Sequence, residues 1–143
     1  NYSAAVGGQV HQYTYADTAN QKWVFEDTST PTLSTAPSTS VTSGQKYYLR
    51  SDKSGLFLSA QNGGTISGTT VDQENFTGGP SQMRTIIDIG GGYYNLICNN
   101  SNLALDIPNG SDSNSLTMQI YSQNGLSPGN INYPITGTGH LRC

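Results

Sequence analysis

The chain has 143 residues and a net charge of −3, enough for one domain with a single core. Only 10% of the residues are charged and the six Lys and Arg never adjoin, which excludes the basic stripe that a nucleic-acid surface needs. No apolar run approaches the ~18 residues of a membrane span, and the abundance of Gly, Ser, Thr, Asn and Tyr favours strands and tight turns over helices.

Taken in chain order, the sequence begins at Asn1 without a basic-then-apolar leader, so any signal peptide is expected to have been removed. Four sequons, starting at Asn1, Asn75, Asn99 and Asn109, join the low charge in suggesting a secreted, extracellular protein. A strand is expected around Val10, within Gly8-Gln9-Val10-His11-Gln12-Tyr13, and a second in Asn20-Gln21-Lys22-Trp23-Val24-Phe25. Thr28 to Gly44 is rich in Ser, Thr and Pro and reads as a long surface loop, with a linker between modules as the alternative. Next come a strand Tyr47-Tyr48-Leu49-Arg50-Ser51, a hairpin from Ser54 to Gly63, a strand around Val71, and a segment from Gln82 to Arg84.

From there the pattern starts again. Tyr94-Asn95-Leu96-Ile97-Cys98 repeats the strand around Leu49, and Ser101 to Gly110 repeats the hairpin, both 47 positions on. Gly55 aligns with Asn102, two residue types suited to a left-handed turn, and Asn62-Gly63 aligns with Asn109-Gly110, a strong hairpin signal. Val71 aligns with Met118 at the same offset. A further copy is split: His140-Leu141-Arg142-Cys143 matches the strand around Leu49, and residues 8–27 match the rest, with Val10 to Trp23 spaced like Val71 to Arg84. Leucine to the Val71-type strand takes 22 residues in each intact copy but 12 across the split, so about ten residues of one hairpin tip are missing. The expected organisation is one domain: a split repeat at 1–27 plus 140–143, the loop at 28–44, a second repeat at 45–89 and a third at 90–139. If it closes, the two chain ends lie side by side.

Three copies with a Gln-x-Trp ending at Asn20-Gln21-Lys22-Trp23, and a Leu-Asp pair at Leu105-Asp106, resemble the ricin-B-like β-trefoil lectins and carbohydrate-binding modules. Copy two has Arg84 in place of the tryptophan; copy three has Asn130-Ile131-Asn132-Tyr133. The resemblance implies an all-β β-trefoil fold with three pseudo-symmetric four-stranded repeats. It also implies shallow sugar pockets in which an aromatic ring stacks on the sugar's C–H face while a carboxylate and an amide pair with hydroxyls. Carried over, copy three offers Asp106, Tyr121 and Asn130, the fullest set. The split copy offers Tyr13, Asn20 and Gln21, its acid position falling near Ser3; copy two offers only Ser59 and Glu74, with Phe76 nearby. For Asn20, Gln21, Asn130 and Asp106 the competing role is to satisfy backbone groups in turns, and for Tyr13 and Tyr121 it is surface packing. Trp23 is expected in the core. Within such a barrel Cys98 and Cys143 occupy equivalent positions, and a disulfide between them is the expectation, with two separate thiols as the alternative.

The two histidines, His11 and His140, fall in no metal-binding or nucleophilic motif, and Asp112-Ser113-Asn114 reads as a turn. The expected function is therefore glycan recognition without catalysis, cofactor or metal, by partners that are glycans or glycoconjugates, with no nucleic acid and no membrane insertion. The alternative is a β-trefoil protease inhibitor acting through a protruding loop, for which Thr28 to Gly44 is the candidate.

Overall fold

The computed structural model describes residues 3–28, 40–123, 133–134 and 140–142, the last two stretches as backbone. The split copy supplies β1 (Gly8–Gln9), β2 (His11–Gln12) and β3 (Lys22–Asp27). Copy two supplies β4 (Lys46–Ser51), β5 (Phe57–Ala60), β6 (Thr69–Glu74) and β7 (Met83–Gly90). Copy three supplies β8 (Tyr93–Cys98), β9 (Ala104–Asp106), β10 (Leu116–Thr117), β11 (Gln119–Tyr121) and β12 (Tyr133–Pro134), and the chain closes on β13 (His140–Arg142). Among the described residues there is no α-helix, only short 3-10 turns at Ala19–Gln21, Gln61–Gly63 and Pro108–Gly110.

The threefold relation is written in the backbone. The Val10 amide donates to the Val71 carbonyl at 3.0 Å, Val71 donates to Met118 at 3.0 Å, and Met118 donates back to Val10 at 2.9 Å. Around this closed triangle the strands pair cyclically and antiparallel: Gly8–Gln9 with Gln73 and Asp72, Thr70 and Thr69 with Gln119 and Ile120, and Thr117 and Leu116 with His11 and Gln12. Each copy thus lends half of its central strand to the next. The split is closed as its sequence demands: β13 pairs with β3, Leu141 opposite Trp23, on the edge that β4 leaves open.

Below the triangle lies the core, in which Phe25, Leu49, Val71, Ile86, Leu96, Met118 and Ile120 are fully buried. Each such side chain stabilises the fold by about 1.5–3 kcal/mol. Turn chemistry holds the strands in register. Gly55 and Asn102 take φ of 73° and 60°, the left-handed conformation that their alignment anticipates. The two Asn-Gly pairs also have positive φ, but they do not form two-residue hairpins. Each ends a 3-10 turn, and five more residues precede Thr69 and Leu116. The expected loop is described only at Thr28 and 40–44; its centre, and the linker alternative with it, lies outside the described residues.

One element differs between copies, and it matters for the site. In copies two and three, β5 and β9 lie beside the central strand, with Ala60 opposite Val71 and Asp106 opposite Gln119. Among the described residues the split copy has no such strand. Val10 is left 8% exposed where Val71 and Met118 are wholly buried.

Candidate functional site

The glutamine of the Gln-x-Trp segment is a clamp. Gln21 Nε2 donates to the Thr14 carbonyl and its Oε1 accepts from the Ala16 amide, both at 2.7 Å. Gln82 repeats the arrangement with the Asn75 carbonyl and the Thr77 amide, both at 2.9 Å. Both glutamines are buried, so Gln21 holds the loop in front of Trp23, the turn-satisfying role, with its amide already engaged.

Two residues after each clamp the copies diverge. Trp23 is 6% exposed in the core, whereas its counterpart Arg84 is completely buried. Arg84 Nη1 donates to the carbonyls of Ser81 and Met83 at 2.8 and 3.0 Å, while its Nε and Nη2 have no nitrogen or oxygen partner among the described residues. Burial pushes this guanidinium's pKa down, opposed by Cys98 beside it. Cys98 is a buried free thiol whose Sγ donates to Asn100 Oδ1 at 3.0 Å; its expected disulfide partner, Cys143, lies outside the described residues.

Where the split copy lacks its strand, a cleft of about 270 Å³ opens. Its lining includes Val10 and Trp23, the exposed ring of Tyr13, the half-buried Asn20, and the clamp Gln21. All three residues expected in this copy are thus gathered in one place. Ser3, at the position where the family pattern places an acid, lines the cleft as well. The rest of the lining could not be anticipated from the repeat. Ser51 ends β4 and Lys53 lies in the turn that follows it, and Gln73 comes from β6, oriented by Ser54 Oγ and by the Ser3 carbonyl at 2.6 Å each. His11 enters from β2 with its Nδ1 at 3.0 Å from the Ser115 carbonyl, as the donor in that pair.

The other two copies are built differently. In copy three, Asp106 is 2% exposed; its Oδ2 accepts from Gln119 Nε2 at 2.7 Å and its Oδ1 has no partner among the described residues. Burial raises its pKa, with the Gln119 bond working against that shift. Tyr121 is exposed two residues along the strand from Gln119, on the same face; Asn130 lies outside the described residues. In copy two the ring of Phe76 sits 4.8 Å from that of Phe57, the strand partner of Glu74, and 4.9 Å from that of Tyr48. Copy two also carries its acid on the opposite strand: Asp72 faces Ser59, where copy three has Gln119 facing Asp106. Among the described residues no group of three or more His, Cys, Asp or Glu gathers to hold a metal ion, and no helix is long and apolar enough to cross a membrane.

Three cyclically paired copies around a shared triangle define a β-trefoil. A family model described as ricin-type β-trefoil lectin domain-like matches residues 32–121, which covers copy two and copy three as far as Tyr121. The chain belongs to that family, and this gives it a carbohydrate-binding role in the general sense. Among solved structures it is similar to a designed threefold-symmetric protein, ThreeFoil, at 30% identity and TM-score 0.73, covering 99% of this chain and 84% of that one. It is also similar to an exo-β-1,3-galactanase from Clostridium thermocellum, at 21% identity and TM-score 0.72, covering 98% of this chain but 25% of the enzyme. A lectin from Polyporus squamosus, solved with a sialylated epitope, matches at 12% identity and TM-score 0.50, over 92% of this chain and 51% of that one. No curated protein sequence matches the chain.

Proposed function

We propose that this domain is a secreted, non-catalytic carbohydrate-binding module that holds a glycan in the cleft of the split copy. The observation that carries the reading is the convergence of Tyr13, Asn20 and Trp23 on one open cleft. An exposed tyrosine ring and an apolar floor suit the C–H face of a sugar, and the Asn20 amide can both donate to and accept from its hydroxyls. This order reverses the expectation from sequence, in which copy three leads. Asp106 is buried with one oxygen engaged, so copy three stands as the second site.

The test is a glycan array followed by titration of the best sugar into three proteins: the wild type, Tyr13→Ala and Tyr121→Ala. We expect Tyr13→Ala to weaken binding about three- to tenfold, the scale of one aromatic contact, with an unchanged melting temperature, and Tyr121→Ala to have a smaller effect. An array with no bound glycan overturns the function; loss in Tyr121→Ala alone moves the site to copy three.

A further inference from the structure

We infer that the cleft of the split copy selects an anionic sugar, one bearing a carboxylate or a sulfate ester, over a neutral one. The inference rests on the reading of this cleft as a sugar site and names the class of sugar it takes.

Three observations point the same way. First, none of the described residues lining the cleft is an Asp or Glu. At the position where the family pattern asks for an acid the chain has Ser3, a neutral hydroxyl that can donate to an anion where a carboxylate would repel it. Second, among the described residues that line the cleft there is one formal charge of fixed sign, the ammonium of Lys53. Lys53 is exposed, and among the described residues no ion pair engages it: the salt bridges there are Lys22 with Asp17 and Arg50 with Glu26. Third, the neighbouring polar groups leave room for an acceptor. Gln73 accepts from Ser54 Oγ at its Oε1 and donates one hydrogen of its Nε2 to the Ser3 carbonyl, which leaves the second amide hydrogen for an acceptor, and Gln9 and Asn20 add side-chain amides to the same wall.

Lys53 reaches this cleft because copy two's first turn borders the gap left by the missing strand. The charge and the opening therefore arise from the same irregularity of the repeat. A neutral pyranose would use the ring of Tyr13 and the amides alone. A pyranose with an acidic substituent adds an ion pair at the rim, where the gain is that of a solvent-exposed pair and is screened by salt.

The experiment compares galactose with galacturonic acid, which differ in a hydroxymethyl against a carboxylate, and with galactose 6-sulfate. Each is titrated by isothermal calorimetry or NMR into the wild type and Lys53→Gln, at about 0.02 M and about 0.5 M salt. The wild type is expected to bind one or both anionic sugars about two- to fivefold tighter than galactose at low salt. High salt or Lys53→Gln should reduce that ratio to near one. Preference for the carboxylate alone or the sulfate alone identifies which anion the rim accommodates. Equal affinity for galactose and both anions, or a ratio that Lys53→Gln leaves intact, overturns the inference and spares the sugar site. If no sugar of either kind binds, the functional reading falls and this inference falls with it.

Discussion

Replacing Gln21 by alanine separates a clamp from a ligand contact. The change removes two hydrogen bonds of 2.7 Å, one from Nε2 to the Thr14 carbonyl and one from the Ala16 amide to Oε1. Each typical bond contributes about 0.5–1.5 kcal/mol net, and a buried group left without a partner costs more. A loss of about 2–3 kcal/mol follows. Gln82→Ala is the matched control, because its bonds to the Asn75 carbonyl and the Thr77 amide repeat the geometry at a residue that does not line the cleft. Urea denaturation followed by tryptophan fluorescence reads both, since Trp23, the single tryptophan, is buried two residues from Gln21. The two variants should lose similar stability with similar m-values. If Gln21→Ala keeps its stability within ~0.5 kcal/mol of wild type and instead abolishes sugar binding, the clamp assignment is refuted.

Other outcomes follow from the buried charges. The Asp72 carboxyl is raised from 3.8 to about 6, first by burial and then by the neighbouring Glu74 charge. The folded state therefore holds this proton more tightly than the unfolded state, and stability from this group is present at low pH and lost as pH rises from about 4 to about 6. At about 1.4 kcal/mol per pKa unit the swing is about 1–3 kcal/mol. Asp72→Asn should remove it, leaving the variant more stable than wild type at pH 7 in urea melts; a variant less stable at pH 7 contradicts this. Arg84→Met replaces a wholly buried guanidinium, two of whose nitrogens have no nitrogen or oxygen partner among the described residues, by an apolar chain of similar length. It should be neutral to stabilising by about 1–2 kcal/mol in the same assay, and a loss above ~1 kcal/mol would mean that those nitrogens are satisfied.

The repeat was legible because it is carried by local chemistry. Gly55 and Asn102 must be residues that tolerate positive φ, and the Val10, Val71 and Met118 positions must be apolar wherever the copies meet. Those requirements leave a spacing that self-comparison finds. The identity of the split copy was legible for the same reason. Its consequence was not: about ten missing residues look like a shortened tip, and only packing shows that the lost strand is the one that roofs Val10 and Trp23. Lys53 was invisible as a site residue because it belongs to a different copy from Tyr13 and Asn20. The glutamine's role was also hidden, since an amide that binds backbone and an amide that binds a hydroxyl have one spelling. Arg84 shows the converse. It departs from the tryptophan pattern in sequence, yet it fills the tryptophan's buried place.

The triangle formed by Val10, Val71 and Met118 also governs how the chain reaches its fold. Its three bonds join residues 61, 47 and 108 positions apart, and no copy can complete its own central strand alone. Loop-closure entropy must be met across most of the chain before any of these contacts stabilises it. Folding is therefore expected to be slow and all-or-none, and unfolding to be slow as well if the triangle forms late, at low-φ positions. A scaffold assembled this way can lose a strand from one copy, and open a cleft there, while the ring at its centre keeps the other two copies in place.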